Sequence, residues 1–152
     1  MKEITLTRGM VALVDDEDYE RLSAYRWCAL KSEHTFYAVR NVGRSEKVLM
    51  HRELLAAPRG MEVDHISGDG LDNRRCNIRI ATSRQNKHNQ GIRRSNKSGY
   101  KGVHLNRNGR WRARMRIPGG HLHLGYFDTA ELANAAYCAA ARKYQGEFAR
   151  AA

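Results

Sequence analysis

Apolar and polar positions along this chain form short alternating runs broken by turn residues, with few long helical stretches. Residues 4 to 14 are rich in Ile, Leu and Val and are interrupted by Arg8-Gly9, which predicts a strand pair around a turn. From Asp16 to Ala24, Tyr19, Leu22 and Tyr25 fall at helical spacing behind an acidic start, which predicts a short helix. Thr35 to Arg40 and Lys47 to Met50 alternate as strands do. His51 to Ala57 is a helix candidate stopped by Pro58 and Gly60. Residues 61 to 66 read as a strand, 67 to 75 as a Gly/Asp/Asn-rich loop, and Ile78 with Ile80 as a second short strand. Thr82 or Ser83 can cap a helix that runs through about residue 89.

The later part of the chain has a different rhythm. Residues 87 to 98 show no apolar period and read as a basic linker. Asn108-Gly109 and Gly119-Gly120 then punctuate three alternating runs, roughly 100–106, 110–117 and 121–127, which predicts a three-stranded antiparallel sheet. Thr129 caps a helix through about Tyr144, with Ala133, Ala136, Tyr137, Ala140 and Tyr144 on one face. In the middle strand Arg110, Arg112, Arg114 and Arg116 alternate with Trp111, Ala113, Met115 and Ile117. Period two puts the arginines on one face and the apolar set toward the helix. The fold class read from these elements is α+β.

Charge sharpens the picture. The 152 residues carry a formal charge of +11, so a polyanion is the expected partner, nucleic acid first. The excess is concentrated beyond residue 90, where twelve Lys/Arg face three Asp/Glu, while residues 1 to 50 hold eight of each. Cys28, Cys76 and Cys138 are widely spaced, odd in number and form no Cys-x-x-Cys pair, a pattern unlike a disulfide framework or a zinc knuckle; Cys28 and Cys138 read as small core residues. The opening MKEITLTRG lacks the apolar stretch of a signal peptide, and no apolar run approaches the ~18 residues of a membrane span. A soluble, cytoplasmic monomer is expected, with no membrane partner and no small-molecule substrate.

The chemistry is concentrated between residues 64 and 86. Asp64-His65 is followed by Asn77, 12 positions after the histidine, and by Asn86, 21 positions after it. A carboxylate and amides supply oxygen ligands for one divalent metal, Mg²⁺ or Mn²⁺ rather than Zn²⁺. A histidine titrating near working pH supplies a base. Those are the parts needed to hydrolyse a phosphodiester.

The stretch Met50-His51-Arg52-Glu53-Leu54-Leu55, Val63-Asp64-His65-Ile66-Ser67-Gly68-Asp69, Asp72-Asn73-Arg74-Arg75-Cys76-Asn77-Ile78-Arg79 and Ala81 to Asn86 resembles the HNH endonucleases, closest to their intron- and phage-encoded homing branch. The resemblance implies a ββα-metal module over residues 51–90, with Asp64 and Asn86 as metal ligands and His65 as general base. Asn77 would hold a loop or the imidazole, with Asn73 as a second candidate. Arg74, Arg75 or Arg79 would meet flanking phosphates. His51 reads as a structural hydrogen-bonding residue and His88 lies off the pattern. Residues 1–50, through Leu6-Thr7-Arg8-Gly9 and Val14-Asp15-Asp16, resemble the leader of phage HNH modules. They are expected to pack on the hairpin, because a 40-residue module buries too little apolar surface alone.

Tyr100-Lys101-Gly102-Val103, Gly109-Arg110-Trp111, Leu124 to Glu131, Ala135-Ala136-Tyr137, Ala139-Ala140 and Gly146 resemble the DNA-binding domain of plant ethylene-response factors, the APETALA-two family, over residues 99–149. A linker at 91–98 would precede it. By position, the family's contacts fall on His104, Asn106, Asn108, Arg110, Trp111, Arg114 and Arg116. Arg112 joins them through the strand period. His104, Asn106, Asn108 and Arg114 depart from the plant residue types, so the plant target sequence does not carry over. The expected activity is that of a metal-dependent homing-type endonuclease on duplex DNA. The rivals are a non-catalytic DNA-binding regulator on a degenerate HNH scaffold and an RNA-binding module, which lacks a recognisable aromatic platform.

Overall fold

The computed structural model describes residues 1–43, 45–92 and 94–150. Two compact units are present, 1–86 and 87–152, and the content is mixed helix and strand, α+β.

In the first unit, β1 (Lys2–Thr5) and β2 (Val11–Val14) form an antiparallel pair whose turn carries Arg8 and Gly9 at positive φ. Helix α1 (Asp16–Ser23) follows directly, with Asp16, Glu17 and Asp18 in its first turn, where the helix dipole favours acids. Strands β3 (Cys28–Lys31), β4 (Phe36–Val42) and β5 (Glu46–Leu49) make an antiparallel meander. β3 was not anticipated: Cys-Ala-Leu-Lys has neither clear alternation nor a β-branched residue, and it is a strand because it pairs with β4 from Cys28↔Val39 to Lys31↔Phe36.

Helix α2 (Met50–Leu54) is shorter than the 51–57 expected. Ala56 has φ 46, so the chain leaves the helix before Pro58, whose ring also disfavours helical geometry at Ala57. The following turn is stapled by Arg52, whose guanidinium donates to the carbonyls of Met61 (2.7 Å), Ala57 (3.1 Å) and Pro58 (3.3 Å). That delivers the chain into β6 (Glu62–His65), which pairs antiparallel with β7 (Ile78–Ala81), and helix α3 (Ser83–Asn89) follows. α3 therefore takes up the first residues of the stretch read as linker, and the division between units falls within it. Val14, Leu22, Trp27, Met50, Val63 and Ile78 belong to one buried cluster, so the first 50 residues and the β6–β7 hairpin share a core. Trp27 is locked there by donating its indole N–H to the Leu22 carbonyl at 2.8 Å.

In the second unit β8 (Val103–Leu105), β9 (Trp111–Ile117) and β10 (Gly120–Phe127) form the expected meander, and α4 (Ala130–Gln145) packs on it. Thr129 caps α4, its hydroxyl accepting from Leu132 N–H at 3.3 Å. The first hairpin loop is wider than a two-residue turn. Asn106 N–H bonds to the Arg110 carbonyl, which leaves three residues between, with Gly109 at φ 76. The second loop is Pro118-Gly119, because Gly120 already pairs with Ile117. Gly102 is required by close packing: a Cβ there would lie 2.2 Å from the Arg114 carbonyl oxygen and 2.5 Å from the Tyr137 ring.

Three packing expectations need correction. Cys28 and Cys138 are only half-buried, and neither belongs to the buried core. The inward face of α4 is Ala130, Ala133, Ala140 and Ala141, with Ala136 and Tyr137 partly covered; Tyr144 is 52% exposed. Ala141 is buried in a cluster with Met115 and Ala140.

Candidate functional site

The β6–β7 register fixes the site. Asp64 lies opposite Arg79, His65 opposite Ile78, and Glu62 opposite Ala81. Alternation places Glu62 and Asp64 on one side of β6 and Val63 and His65 on the other. The intervening loop is held by the first strands. Leu13 N–H donates to the Leu71 carbonyl at 2.9 Å and Asn73 N–H to the Leu13 carbonyl at 2.8 Å. Arg75 joins it to α1, donating its backbone N–H to Asp15 and its guanidinium to Asp18. Arg74 forks onto the Asp72 carboxylate at 2.7 and 2.6 Å. That bond first of all holds the Asp72 carboxyl below its ordinary range.

Asp64 is 2% exposed and accepts from the Arg79 guanidinium, Nε at 2.9 Å, with the closest ion-pair nitrogen at 2.8 Å. A carboxylate this deep needs such a partner. Asn86 reaches the same strand from α3: its side-chain amide donates to Glu62 at 2.6 Å. α3 is set by a reciprocal cap at its start. Thr82 Oγ1 accepts from Gln85 N–H at 3.2 Å, and Gln85 Oε1 accepts from Thr82 N–H at 2.8 Å.

His65 is 5% exposed and sits among rings. Its centroid is 5.0 Å from that of His51, edge to face, and 5.7 Å from Tyr37, while Tyr37 and His51 are 5.3 Å apart. Burial pushes the His65 imidazole below its usual value, opposed by the Asn73 amide and by the charges of Asp64, Asp69 and Asp72. A neutral imidazole at neutral pH can accept a proton. His51 is 5% exposed and is pushed down to about 3 by burial, then by His65 and Arg52; its Nδ1 has no hydrogen-bond partner among the described residues. Burial, then Asp64 and Glu62, push the Tyr37 phenol up. His51, Tyr37, Glu62, Val63 and Asn86 line one shallow cleft.

The two candidate asparagines have different partners. Asn77 Oδ1 accepts from Ser67 N–H at 2.9 Å and its Nδ2 donates to the Asp72 carbonyl at 2.8 Å, so both ends of its amide go to the loop backbone. Asn73, 1% exposed, is the asparagine beside the imidazole. Glu62 and Tyr37 were not singled out from sequence, although the Glu62-Val63-Asp64 alternation already put a second carboxylate on the Asp64 face. Among the described residues no three His, Cys, Asp or Glu side chains form a ready metal cage. A carboxylate such as Asp64 and an amide oxygen such as that of Asn86 are, by their chemistry, donors suited to a cation that keeps several waters, as Mg²⁺ does.

In the second unit the sheet carries a basic face. Arg112 lies opposite His104 on β8 and Tyr126 on β10, Arg114 opposite His123, and Arg116 opposite His121. His123 and Tyr126 rings are 4.8 Å apart. Burial, then Arg114 and Arg112, push the His104 imidazole down. His121, His123 and Tyr126 were not anticipated. A bulge between His123 and Gly125 brings Tyr126 rather than Gly125 opposite an arginine. Arg110 precedes the strand and is occupied, donating to the Tyr126 carbonyl at 3.1 Å and pairing with Asp128 at 3.3 Å. Trp111 packs against the cluster of Val103, Ala113, Ala130 and Ala133, on the helix side. Asn106 Oδ1 accepts from the N–H groups of Asn108 and Arg110, so it builds the turn. Asn108 is exposed there.

Residues 56–88 match the family model of the HNH endonucleases. No curated protein and no solved structure matches the chain. The matched segment contains β6, the loop, β7 and nearly all of α3, and with them Asp64, His65, Asn77 and Asn86. The match supports a nuclease acting on DNA.

Proposed function

We propose that this chain is a metal-dependent endonuclease of the homing type whose ββα-metal module, residues 51–90, hydrolyses phosphodiester bonds in duplex DNA. A sheet domain of the APETALA-two type, residues 99–149, holds the duplex. The observation that carries this is the joining of Asp64-His65 on β6 to Asn86 on α3 through the 2.6 Å bond to Glu62, inside the segment that matches the HNH family.

Asp64 and Asn86 are the residues that would hold Mg²⁺ or Mn²⁺. When bound, that cation supplies positive charge against the negative charge growing on the leaving 3′ oxygen. His65 takes the proton from the attacking water. Asn73 and the rings of His51 and Tyr37 hold its imidazole. Asn77 keeps the loop closed behind it. Arg112, Arg114 and Arg116, with His104, His121, His123 and Tyr126, form the face that meets DNA, as a three-stranded reader does in the major groove. Asn108, at the tip of the first hairpin, adds a backbone contact.

The test is a plasmid-nicking assay with Mg²⁺ or Mn²⁺. His65→Ala is expected to slow cutting by about 10²–10⁴-fold while gel shifts keep their midpoint. Cutting at the wild-type rate overturns the base assignment. One observation favours a second reading, a non-catalytic DNA-binding regulator: Asp64 is already engaged by Arg79. Duplex binding without nicking in either metal selects that reading.

A further inference from the structure

We propose that Glu62 is a positioning residue for the metal site: its carboxylate fixes which end of the Asn86 amide is presented as a ligand. The inference rests on the metal-site reading above and adds a residue to it.

The argument starts from donor chemistry. An Asn side chain has an oxygen that accepts and an NH₂ that donates, and the two ends exchange when the amide turns by half a revolution. Only the oxygen end can ligate a cation. A carboxylate only accepts, so the end of Asn86 that faces Glu62 is Nδ2, at 2.6 Å from Oε2. Oδ1 is then at the other end of the planar group. A half-turn would set two oxygens against each other.

The bond is not a local accident. It joins residues 24 apart, from the first residue of β6 to the middle of α3. Glu62 stands two places before Asp64 on the same side of the strand, so the group that orients one ligand is built into the strand that carries the other. Glu62 and Asn86 line the same cleft, together with His51. The Arg79 guanidinium donates its Nε to Asp64 at 2.9 Å, while Glu62 accepts from the Asn86 amide.

Partners that orient a ligand typically change metal affinity by about 10–100-fold when removed. The experiment measures Mn²⁺ binding to the full chain without DNA, by the electron paramagnetic resonance signal of free Mn²⁺, for wild type, Glu62→Leu, Asn86→Ala, the double variant and Glu62→Gln. Circular dichroism checks that each variant is folded. Glu62→Leu is expected to weaken Mn²⁺ by about ten-fold or more, but to have no further effect in the Asn86→Ala background. Glu62→Gln retains an acceptor and should recover part of the loss. If Glu62→Leu binds Mn²⁺ as wild type does, the positioning role is wrong. If its effect multiplies with that of Asn86→Ala, Glu62 acts independently of the amide and the inference is likewise overturned. If wild type binds no Mn²⁺, or Asn86→Ala binds it unchanged, the metal-site reading itself fails and takes the inference with it.

Discussion

Arg79 stands directly opposite Asp64 across the β6–β7 ladder, and its Nε donates to Asp64 Oδ2 at 2.9 Å. The pair is nearly dry, with side chains 13% and 3% exposed. Such a pair adds little over an apolar pair of the same size, but removing one member strands the other. Arg79→Leu should therefore destabilise the first unit by about 3–5 kcal/mol. Adding Asp64→Asn should return much of that loss, because the stranded charge is gone. Urea unfolding followed by Trp27 in a Trp111→Phe background reads the first unit alone. A change below about 0.5 kcal/mol in Arg79→Leu would show that Asp64 is stabilised by other means.

His51 gives a pH dependence with a definite sign. Burial holds its folded-state value at about 3, against 6.5 for the ordinary group. Above pH 6.5 both states are neutral and nothing is lost. Below it the unfolded chain binds a proton that the fold refuses, so stability falls by about 1.4 kcal/mol per pH unit until the folded value is reached. Between pH 6.5 and 4 wild type should lose on the order of 3 kcal/mol more than His51→Leu. His65 is present in both proteins, so only the part of its titration that is coupled to His51 remains in the difference. Parallel stability curves for the two would mean that His51 is protonated in the fold.

Gly70 ties the loop of the β6–β7 hairpin to the ring cluster. A Cβ there would lie 2.4 Å from the Phe36 carbonyl oxygen and 2.5 Å from the Tyr37 ring. Tyr37 in turn flanks both His51 and His65. Gly70→Ala should cost about 1–3 kcal/mol, the usual penalty for overpacking. Gly91→Ala, whose Cβ meets nothing within 4 Å, should be neutral. Thermal melts of the two variants make the comparison, and equal melting temperatures would show that Tyr37 yields at no cost.

Element types were largely legible because each run carried its own punctuation. Arg8-Gly9, Pro58 and Gly60, Asn108-Gly109 and Thr129 all mark boundaries through backbone chemistry that acts locally. What could not be read is what depends on pairing. β3 exists through its ladder with β4, and Tyr126 joins the arginine face through a bulge that no local signal announces. The site shows the same division. Spacing named Asp64, His65, Asn77 and Asn86, but two buried asparagines four residues apart look alike in sequence. Only the loop geometry assigns Asn77 to the backbone and Asn73 to the imidazole. Arg79 acquires Asp64, and Glu62 acquires Asn86, through register and helix placement.

The basic sheet face supports a separation of binding from cutting that can be measured on the full chain. Arg112, Arg114 and Arg116 follow one another along one side of β9, and each has a histidine or tyrosine opposite it rather than an acid. The acid closest in sequence, Asp128, pairs instead with Arg110. Three aligned cations without carboxylates between them repel one another, and a polyanion relieves that repulsion. Replacing all three with Ala should weaken duplex binding by several kcal/mol, at ~1–3 kcal/mol for each arginine that reads a base. Each arginine that meets a phosphate instead should lower the slope of log K against log salt by about 0.9. Asp64, His65 and Asn86 lie in the other compact unit, so Mn²⁺ binding should be unchanged. Gel shifts across a salt series, with Mn²⁺ titration of the same preparations, read both quantities. An unaltered salt slope with unaltered affinity would remove this face from the interface, and loss of Mn²⁺ binding would show that the triple change had acted through folding.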